Sequence, residues 1–439
     1  MKRIVLLLSL ILFCTVQKTG AQQVRSWTLE ECIEQALNQN IQVRKSMLTN
    51  DRLQYYADQA KAQRFPSANA AISQNFNWSK SSVSGETGLT GMNGSNYSLN
   101  SGVTIYNGSK INNSIKQAEL DIEGGKYSLE TTKESISLNI LDAFLQVLYS
   151  EEQVRNSIKQ IESTQEQLNL AKERLTLKII SQSDYAQVKS QLASEKLTLA
   201  NAESQMAISK VNLMQLMEMP AATGFNIVHP DLGENINQNR ITDVKSVFET
   251  SVSIKPQIRY AAINKDIAAI DEKIARAGYF PTLSASAGIS SSFTSQTTDL
   301  YFNQLNNGIR PSAGFSLSIP IYQKKQVKTS IAIARIGYQD AQLTETDTKN
   351  QLRKNIEQAC LDVTSAQIEY EASLEKYQAT QESSALSDEK FKQGIINSVD
   401  YLVSKTNLIV AESQMLQSKY KLIFSYKVLD FYTGIPLSL

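Results

Sequence analysis

The sequence predicts a mainly α chain with a small antiparallel β part, built as a tandem duplication of long coiled-coil helical hairpins with four β-strands per chain. Three observations predict it. On the last helical stretch Tyr401, Leu408, Met415, Leu422 and Leu429 recur every seven residues, with Ser404, Ala411, Ser418, Ser425 and Tyr432 three positions after each. A seven-residue apolar repeat keeps one seam facing a neighbour only when helices supercoil left-handedly. The same seam recurs 216 residues earlier as Tyr185, Leu192, Leu199, Met206 and Leu213. In each copy the apolar period switches from helical to two immediately after a Phe-Pro pair, at Phe65-Pro66 and Phe280-Pro281.

The N-terminus precedes this pattern. Met1-Lys-Arg3, the apolar run Ile4 to Val16 and the small residues Thr19-Gly20-Ala21 read as a secretory signal peptide over residues 1–21. Phe13 before Cys14 lacks the small residue of a lipoprotein signal, so no acyl anchor is expected. Its removal leaves 41 basic against 43 acidic side chains, a balance that does not suggest nucleic acid as a partner. No later run of eighteen apolar residues occurs, so the remaining way across a membrane is a closed β-barrel.

The first repeat spans residues 22–220. A capping box at Thr28 and Glu31 starts a helix, Leu29, Ile33, Ala36 and Leu37 continue its apolar face, and the pattern runs over 28–64. Its copy covers 243–278, in a second repeat over 243–439. Both are expected to be continuous. Ala68, Ala70, Ile72, Phe76 and Trp78 then alternate with Asn69, Ser73, Asn75 and Asn77, and Tyr97, Leu99, Val103 and Ile105 form a second alternating run. The second copy repeats this with Leu283, Ala285, Ala287, Ile289 and Phe293, then Ala313, Phe315, Leu317, Ile319 and Ile321. Clean alternation fits a half-buried soluble sheet or a barrel wall with a wet lumen. Trp78 and Tyr97 are candidate belt aromatics, with core packing as the other reading. The Gly-, Ser- and Asn-rich stretches 79–96 and 294–310 read as exposed hairpin loops.

Long helices follow over 108–175 and 324–391, about 100 Å each, with Gly124-Gly125 a candidate kink in the first. The returning arms, 182–218 and 397–433, cover about half that length. One long helix can therefore lie beside two half-length helices stacked end to end, with residues 221–242 crossing between the halves at mid-height. Four strands cannot close a barrel, and open edges are not tolerated in lipid, so a membrane reading requires copies of the chain. Two copies supply eight strands and three supply twelve.

Catalytic chemistry has little to stand on. His229 is the one histidine, and no phosphate-cradling, nucleophile-elbow or zinc-protease motif occurs. Neither an enzyme activity nor a cofactor or metal is expected. Cys32 and Cys360 lie at similar distances along their helices from the strands, which permits a disulfide in an oxidising compartment. Two unpaired packed thiols are the expectation.

The duplication, the element order and two turn motifs resemble the bacterial outer-membrane efflux (TolC-like) family over about residues 28–436. Lys390-Phe-Lys-Gln-Gly394-Ile-Ile-Asn-Ser-Val-Asp400 is similar to the family's basic residue, glycine and aspartate spacing. Arg174-Leu-Thr-Leu-Lys178-Ile-Ile-Ser-Gln-Ser-Asp184 keeps the ends but places Lys178 where the glycine stands. The resemblance implies a homotrimer in the outer membrane with a twelve-stranded barrel and a periplasmic helical tunnel. It also implies docking of a periplasmic adaptor and an inner-membrane transporter at the helical tips. On that reading Arg174, Lys178, Ile179, Ile180 and Ser181, with Lys390, Gly394, Ile395, Ile396 and Asn397, are candidate adaptor contacts. Asp400 and Asp184 are candidate gate residues, with helix capping as the local alternative for each. A coiled-coil surface scaffold or a periplasmic adaptor is the competing function. The first leaves the paired strands unexplained, and the second carries a single hairpin.

Overall fold

The structure is a computed structural model that describes residues 26–83, 86–220, 224–230 and 243–439. The expected signal peptide over residues 1–21 and most of the expected 221–242 linker lie outside the described residues. The chain order is β1 (Ser26–Trp27), α1 (Leu29–Gln39), α2 (Ile41–Ala62), β2 (Ser67–Val83), β3 (Glu86–Asn107), α3 (Lys110–Thr176) and α4 (Gln182–Leu216). Then come β4 (Asn226–Ile227), α5 (Val244–Ile254), α6 (Pro256–Arg276), β5 (Thr282–Thr294), α7 (Tyr301–Asn307), β6 (Arg310–Ser318), α8 (Gln326–Lys392) and α9 (Ser398–Thr433). No helix among the described residues is long and apolar enough to cross a membrane.

The chain forms two compact units, each drawing on both repeats. One comprises Met1–Arg44, Thr132–Ile254 and Arg353–Leu439; the other comprises Lys45–Thr131 and Lys255–Leu352.

In the first unit the core is carried by α3, where Ile140, Leu141, Phe144, Val147 and Leu148 are fully buried. Leu213 of α4 and Leu422 and Leu429 of α9 are buried with them, so the seven-residue seam faces inward as its spacing requires. The small residues of the seam permit close approach. Ser418 shares a 2.5 Å hydrogen bond with Ser373 of α8, and Ser209 lies 3.2 Å from Ser150 of α3.

The expected continuous helices over 28–64 and 243–278 are each broken in two, at Asn40 and at Lys255, which are equivalent positions in the repeats. Asn40 adopts ψ 131°, and its side chain accepts from Gln42 N (2.9 Å) while donating to Leu216 O (3.0 Å), the end of α4. Lys255 adopts ψ 124° because Pro256 follows it, and proline disfavours helical geometry in the residue before it. The end of α9 meets the second break: Ser251 Oγ donates to Tyr432 O at 2.6 Å. The capping box at Thr28 and Glu31 is present. The described part of the linker pairs in parallel with the N-terminus (Ser26 with Asn226, Trp27 with Ile227). His229 Nε2 lies 2.8 Å from Glu151, whose carboxylate also pairs with Lys210 at 2.7 Å.

In the second unit four strands pair antiparallel in the order β2-β3-β5-β6, leaving β2 and β6 as edges. The register places Ile72 opposite Tyr97, Leu99 opposite Ile289 and Ala285 opposite Phe315, so one face is mainly apolar, interrupted toward the β2–β3 turn by the hydrogen-bonded Gln74, Asn93 and Ser95 and elsewhere by Ser101 and Ser291. The other carries Asn69, Ser73, Asn100, Ser286, Gly288 and Ser312. The 79–96 stretch is not a loop. β2 and β3 stay paired to Val83–Glu86, whereas β5 accompanies β3 only as far as Gly94. Antiparallel ladders join backbone groups and tolerate glycine where a neighbour shields it; the Trp78 indole lies against Gly91, 3.1 Å from where a Cβ would sit. The 294–310 stretch likewise contains a helix, α7.

α3 continues without interruption through Gly124-Gly125. Gly125 marks a close approach rather than a kink, since a Cβ there would lie 2.2 Å from Asn50 Oδ1 and 2.7 Å from Leu53, whereas one on Gly124 would make ordinary contacts. Below the sheet Ala57 and Ala60 of α2 pack on Ile115 and Ala118 of α3.

Candidate functional site at the helical hairpin tips

Both hairpin tips lie in the first unit, and they turn alike. Lys178 has φ 58° and Gly394 has φ 74°. At the first tip Lys178 N donates to Leu175 O (3.0 Å) and Ile179 N to Arg174 O (2.9 Å). At the second, Gly394 N donates to Phe391 O (3.1 Å) and Ile395 N to Lys390 O (2.8 Å). This is one helix-ending arrangement, built on a single left-handed residue that closes the last carbonyls. Lys178 thus adopts a conformation that glycine takes more cheaply, and the substitution alters the local energy without altering the turn.

The turn projects apolar side chains. Ile179 and Ile395, equivalent in the repeats, are 66% and 65% exposed, and Leu177 and Val399 are exposed beside them. Ile180 and Ile396 are half-buried. Lys390 is exposed and Arg174 is engaged: its guanidinium donates to Phe391 O (3.0 Å) and to Lys392 O, and sits 5.9 Å from the Phe391 ring centroid. Arg174 therefore ties one tip to the other.

The two aspartates are used differently. Ser181 caps α4, and Asp184 completes a capping box by accepting from Ser181 N (3.1 Å) and Ser181 Oγ (2.7 Å). At α9 the cap is Asn397, whose Oδ1 accepts from Asp400 N (2.9 Å), and the exposed Asp400 carboxylate is not part of a capping box.

Behind the tips lies a cleft of about 500 Å³ lined by Lys159, Gln167, Asp388, Tyr401, Lys405 and Leu408, among others. Tyr401 stacks on Phe391 with ring centroids 4.6 Å apart, and burial pushes its hydroxyl well above the usual phenol range. Lys405 is 4% exposed. Its ammonium lies 3.8 Å from Glu195 of α4 and donates to the Thr164 hydroxyl of α3. Desolvation lowers its pKa, with the Glu195 and Asp388 carboxylates opposing. Gln167 donates to Asp388 Oδ1 at 2.8 Å. Sequence reasoning missed this cluster. Its one sequence signal is a charged residue four positions after the seam residue Tyr401.

Comparison with known proteins agrees with this architecture. The profile of the family described as outer membrane efflux protein matches residues 32–217 and 251–434. No curated protein sequence matches. Among solved structures, CusC superposes with a TM-score of 0.78 at 15% identity over 96% of each chain. VceC from Vibrio cholerae gives 0.74 at 17% identity, over 92% of this chain and 96% of its own. The Campylobacter jejuni channel CmeC gives 0.75 at 15% identity, over 92% and 85%. At such identity these likenesses establish the fold, and the profile match, over most of the chain, establishes the family. The chain belongs to the outer membrane efflux protein family, whose members are channels of the outer membrane.

Proposed function

We propose that this chain is the outer-membrane channel-tunnel of a tripartite efflux or type I secretion system. Three copies would close a twelve-stranded barrel over a periplasmic helical tunnel, and cargo would pass passively from an adaptor and an inner-membrane transporter to the outside. The observation that carries the reading is the sheet. It has two free edges, one exposed apolar face (Phe315 is 80% exposed) and one face of Ser, Asn and Gly. Such a sheet is satisfied by lipid outside, water inside and edge pairing between copies. The helical unit supports assembly too, since Leu361 and Ile368 of α8 and Val403 and Val410 of α9 form exposed apolar pairs seven residues apart.

On this reading the exposed Ile179 and Ile395 tips receive the adaptor, which supplies the apolar cover that the single chain lacks. Asp400 is the stronger gate candidate, because Asp184 is engaged in a cap. Like carboxylates around a narrow axis form a cation-attracting ring. Mass measurement of the detergent-solubilised protein should give a trimer, and bilayer recordings should give open-channel conductance. A monomer with an intact sheet overturns the assembly. Asp400→Asn should lower cation selectivity more than Asp184→Asn; an Asp400→Asn channel that matches the parent in selectivity and in block by multivalent cations would remove Asp400 from the gate.

A further inference from the structure

The connection between β5 and β6 folds back onto the sheet, and onto one particular face of it. Ser291 and Phe293 share the apolar face with Tyr97, since Tyr97 pairs with Ser291 in the ladder and strand side chains alternate. All three hold α7. Ser291 Oγ donates to Leu305 O (2.6 Å), the Phe293 ring centroid lies 4.7 Å from that of Tyr301, and the hydroxyls of Tyr97 and Tyr301 share a 2.5 Å hydrogen bond. Gln304 locks the fold-back: its Oε1 accepts from Thr294 N (3.0 Å), and its Nε2 donates to Thr294 O (3.2 Å) and Asp299 O (2.8 Å).

These contacts use the Tyr301, Gln304, Leu305 side of the helix. Phe302, 79% exposed, projects from one flank of the helix with its ring edge-on to Tyr301, Leu300 is 74% exposed just before the helix and Ile309 exposed just after it, and the side away from the sheet carries Asn303 and Asn306. No charged residue occurs between Asp299 and Arg310, and the exposed polar groups of the helix are the amides Asn303, Asn306 and Asn307. Phe76 and Trp78, stacked 6.4 Å apart, continue the exposed aromatic surface on the same face of the β2–β3 hairpin. Phe302, Leu300 and Ile309 together leave an uncharged, partly apolar surface on a helix pinned to the sheet. Such a surface suits the boundary where acyl chains meet headgroups.

We propose that α7 is a lipid anchor. It lies against the lipid side of the barrel at the rim remote from the long helices, with Phe302 and Leu300 among the acyl chains and the Asn amides at headgroup level. The occupant follows from continuity: the apolar sheet face that α7 extends is the face that the barrel reading gives to lipid, so the inference rests on that reading.

The test places a tryptophan at Phe302 (F302W) or at mid-sheet Phe315 (F315W), each in a Trp78→Phe background, which leaves Trp27 as the other indole. The trimers are reconstituted into phosphatidylcholine vesicles carrying bromine near the headgroup end or near the tail end of the acyl chains. F302W should emit to the blue of a water-exposed indole and lose more intensity to the shallow bromines than to the deep ones. F315W should be quenched by the deep bromines. Unquenched, red-shifted F302W emission beside a quenched F315W overturns the anchor and leaves the barrel reading standing. Blue-shifted but unquenched F302W emission means that protein, such as a second copy, covers α7, and also overturns it. If neither probe is quenched, the membrane reading of the sheet fails together with the anchor.

Discussion

The buried pair Lys405–Glu195 offers the sharpest test of how the helical unit is held. Lys405 is 4% exposed and Glu195 6% exposed, with 3.8 Å between ammonium and carboxylate. Gln191 donates to Glu195 Oε1 at 3.0 Å, while Glu195 Oε2 is buried without a hydrogen-bond partner. At that separation and an effective dielectric of about 20, the attraction is about 4 kcal/mol. Desolvating each ion costs several kcal/mol, so the pair contributes little net stability, but either partner alone is a liability. Glu195→Gln leaves a buried ammonium facing neutral groups and should destabilise by about 3–5 kcal/mol at neutral pH. The double variant Lys405→Met with Glu195→Leu removes both charges and should lie within about 1 kcal/mol of the parent or above it. Urea titration followed by far-UV circular dichroism, with hydrogen exchange along α4 and α9, measures both.

The pH dependence adds a sign. Burial lowers the Lys405 pKa, so between that value and the ordinary lysine value of about 10.4 the unfolded chain binds a proton that the folded chain does not. The Lys405 contribution to stability therefore rises with pH across that window, and it should vanish in Lys405→Met. A Glu195→Gln variant as stable as the parent at neutral pH would refute the reasoning, because it would mean that the ammonium is solvated or neutral in the fold.

Four further outcomes are expected. Lys178→Gly removes a left-handed lysine (φ 58°) and should stabilise the first tip by about 1 kcal/mol. Gly394→Ala should cost about as much at the second, where no atom lies within 4 Å of a new Cβ, so only the backbone conformation opposes it; amide exchange at Ile179 and Ile395 reports both. Gly125→Ala puts a Cβ 2.2 Å from Asn50 Oδ1, the end of a side chain that can rotate away, while alanine gains about 1 kcal/mol in a helix interior, so the second unit should stay within about 1 kcal/mol of the parent in thermal unfolding; a loss of about 3 kcal/mol would mean that Asn50 cannot yield. Cys32 and Cys360 are free thiols, and burial with Glu31 and Glu30 nearby pushes Cys32 up to about 12. Maleimide labelling at neutral pH should therefore modify half-buried Cys360 first and Cys32 on unfolding; equal rates would contradict that burial.

The sequence by itself determined the repeating parts. A seven-residue seam, an alternating apolar face and a duplicated element order are periodic signals, and periodicity is what local side-chain geometry writes into a chain. Even the expected turns at Lys178 and Gly394 came from spacing, although only the structure made them equivalent, because a left-handed φ is a backbone state that lysine can be held in by its neighbours. The helix break at Lys255 was available from Pro256, and the one at Asn40 only by analogy through the duplication, but both were hidden by the apolar pattern running through them. Their purpose, meeting the ends of α4 and α9, is a tertiary contact. The β2–β3 pairing through a glycine-rich stretch depended on backbone hydrogen bonds and on Trp78 covering Gly91, neither of which composition records. The Lys405–Glu195–Thr164 cluster joins three helices whose residues lie up to 241 positions apart, and only packing could bring those charges together. The fold-back of α7 was decided the same way, by Ser291, Phe293 and Tyr97 meeting Tyr301 and Leu305, contacts that exist once the sheet has set which face each strand residue occupies.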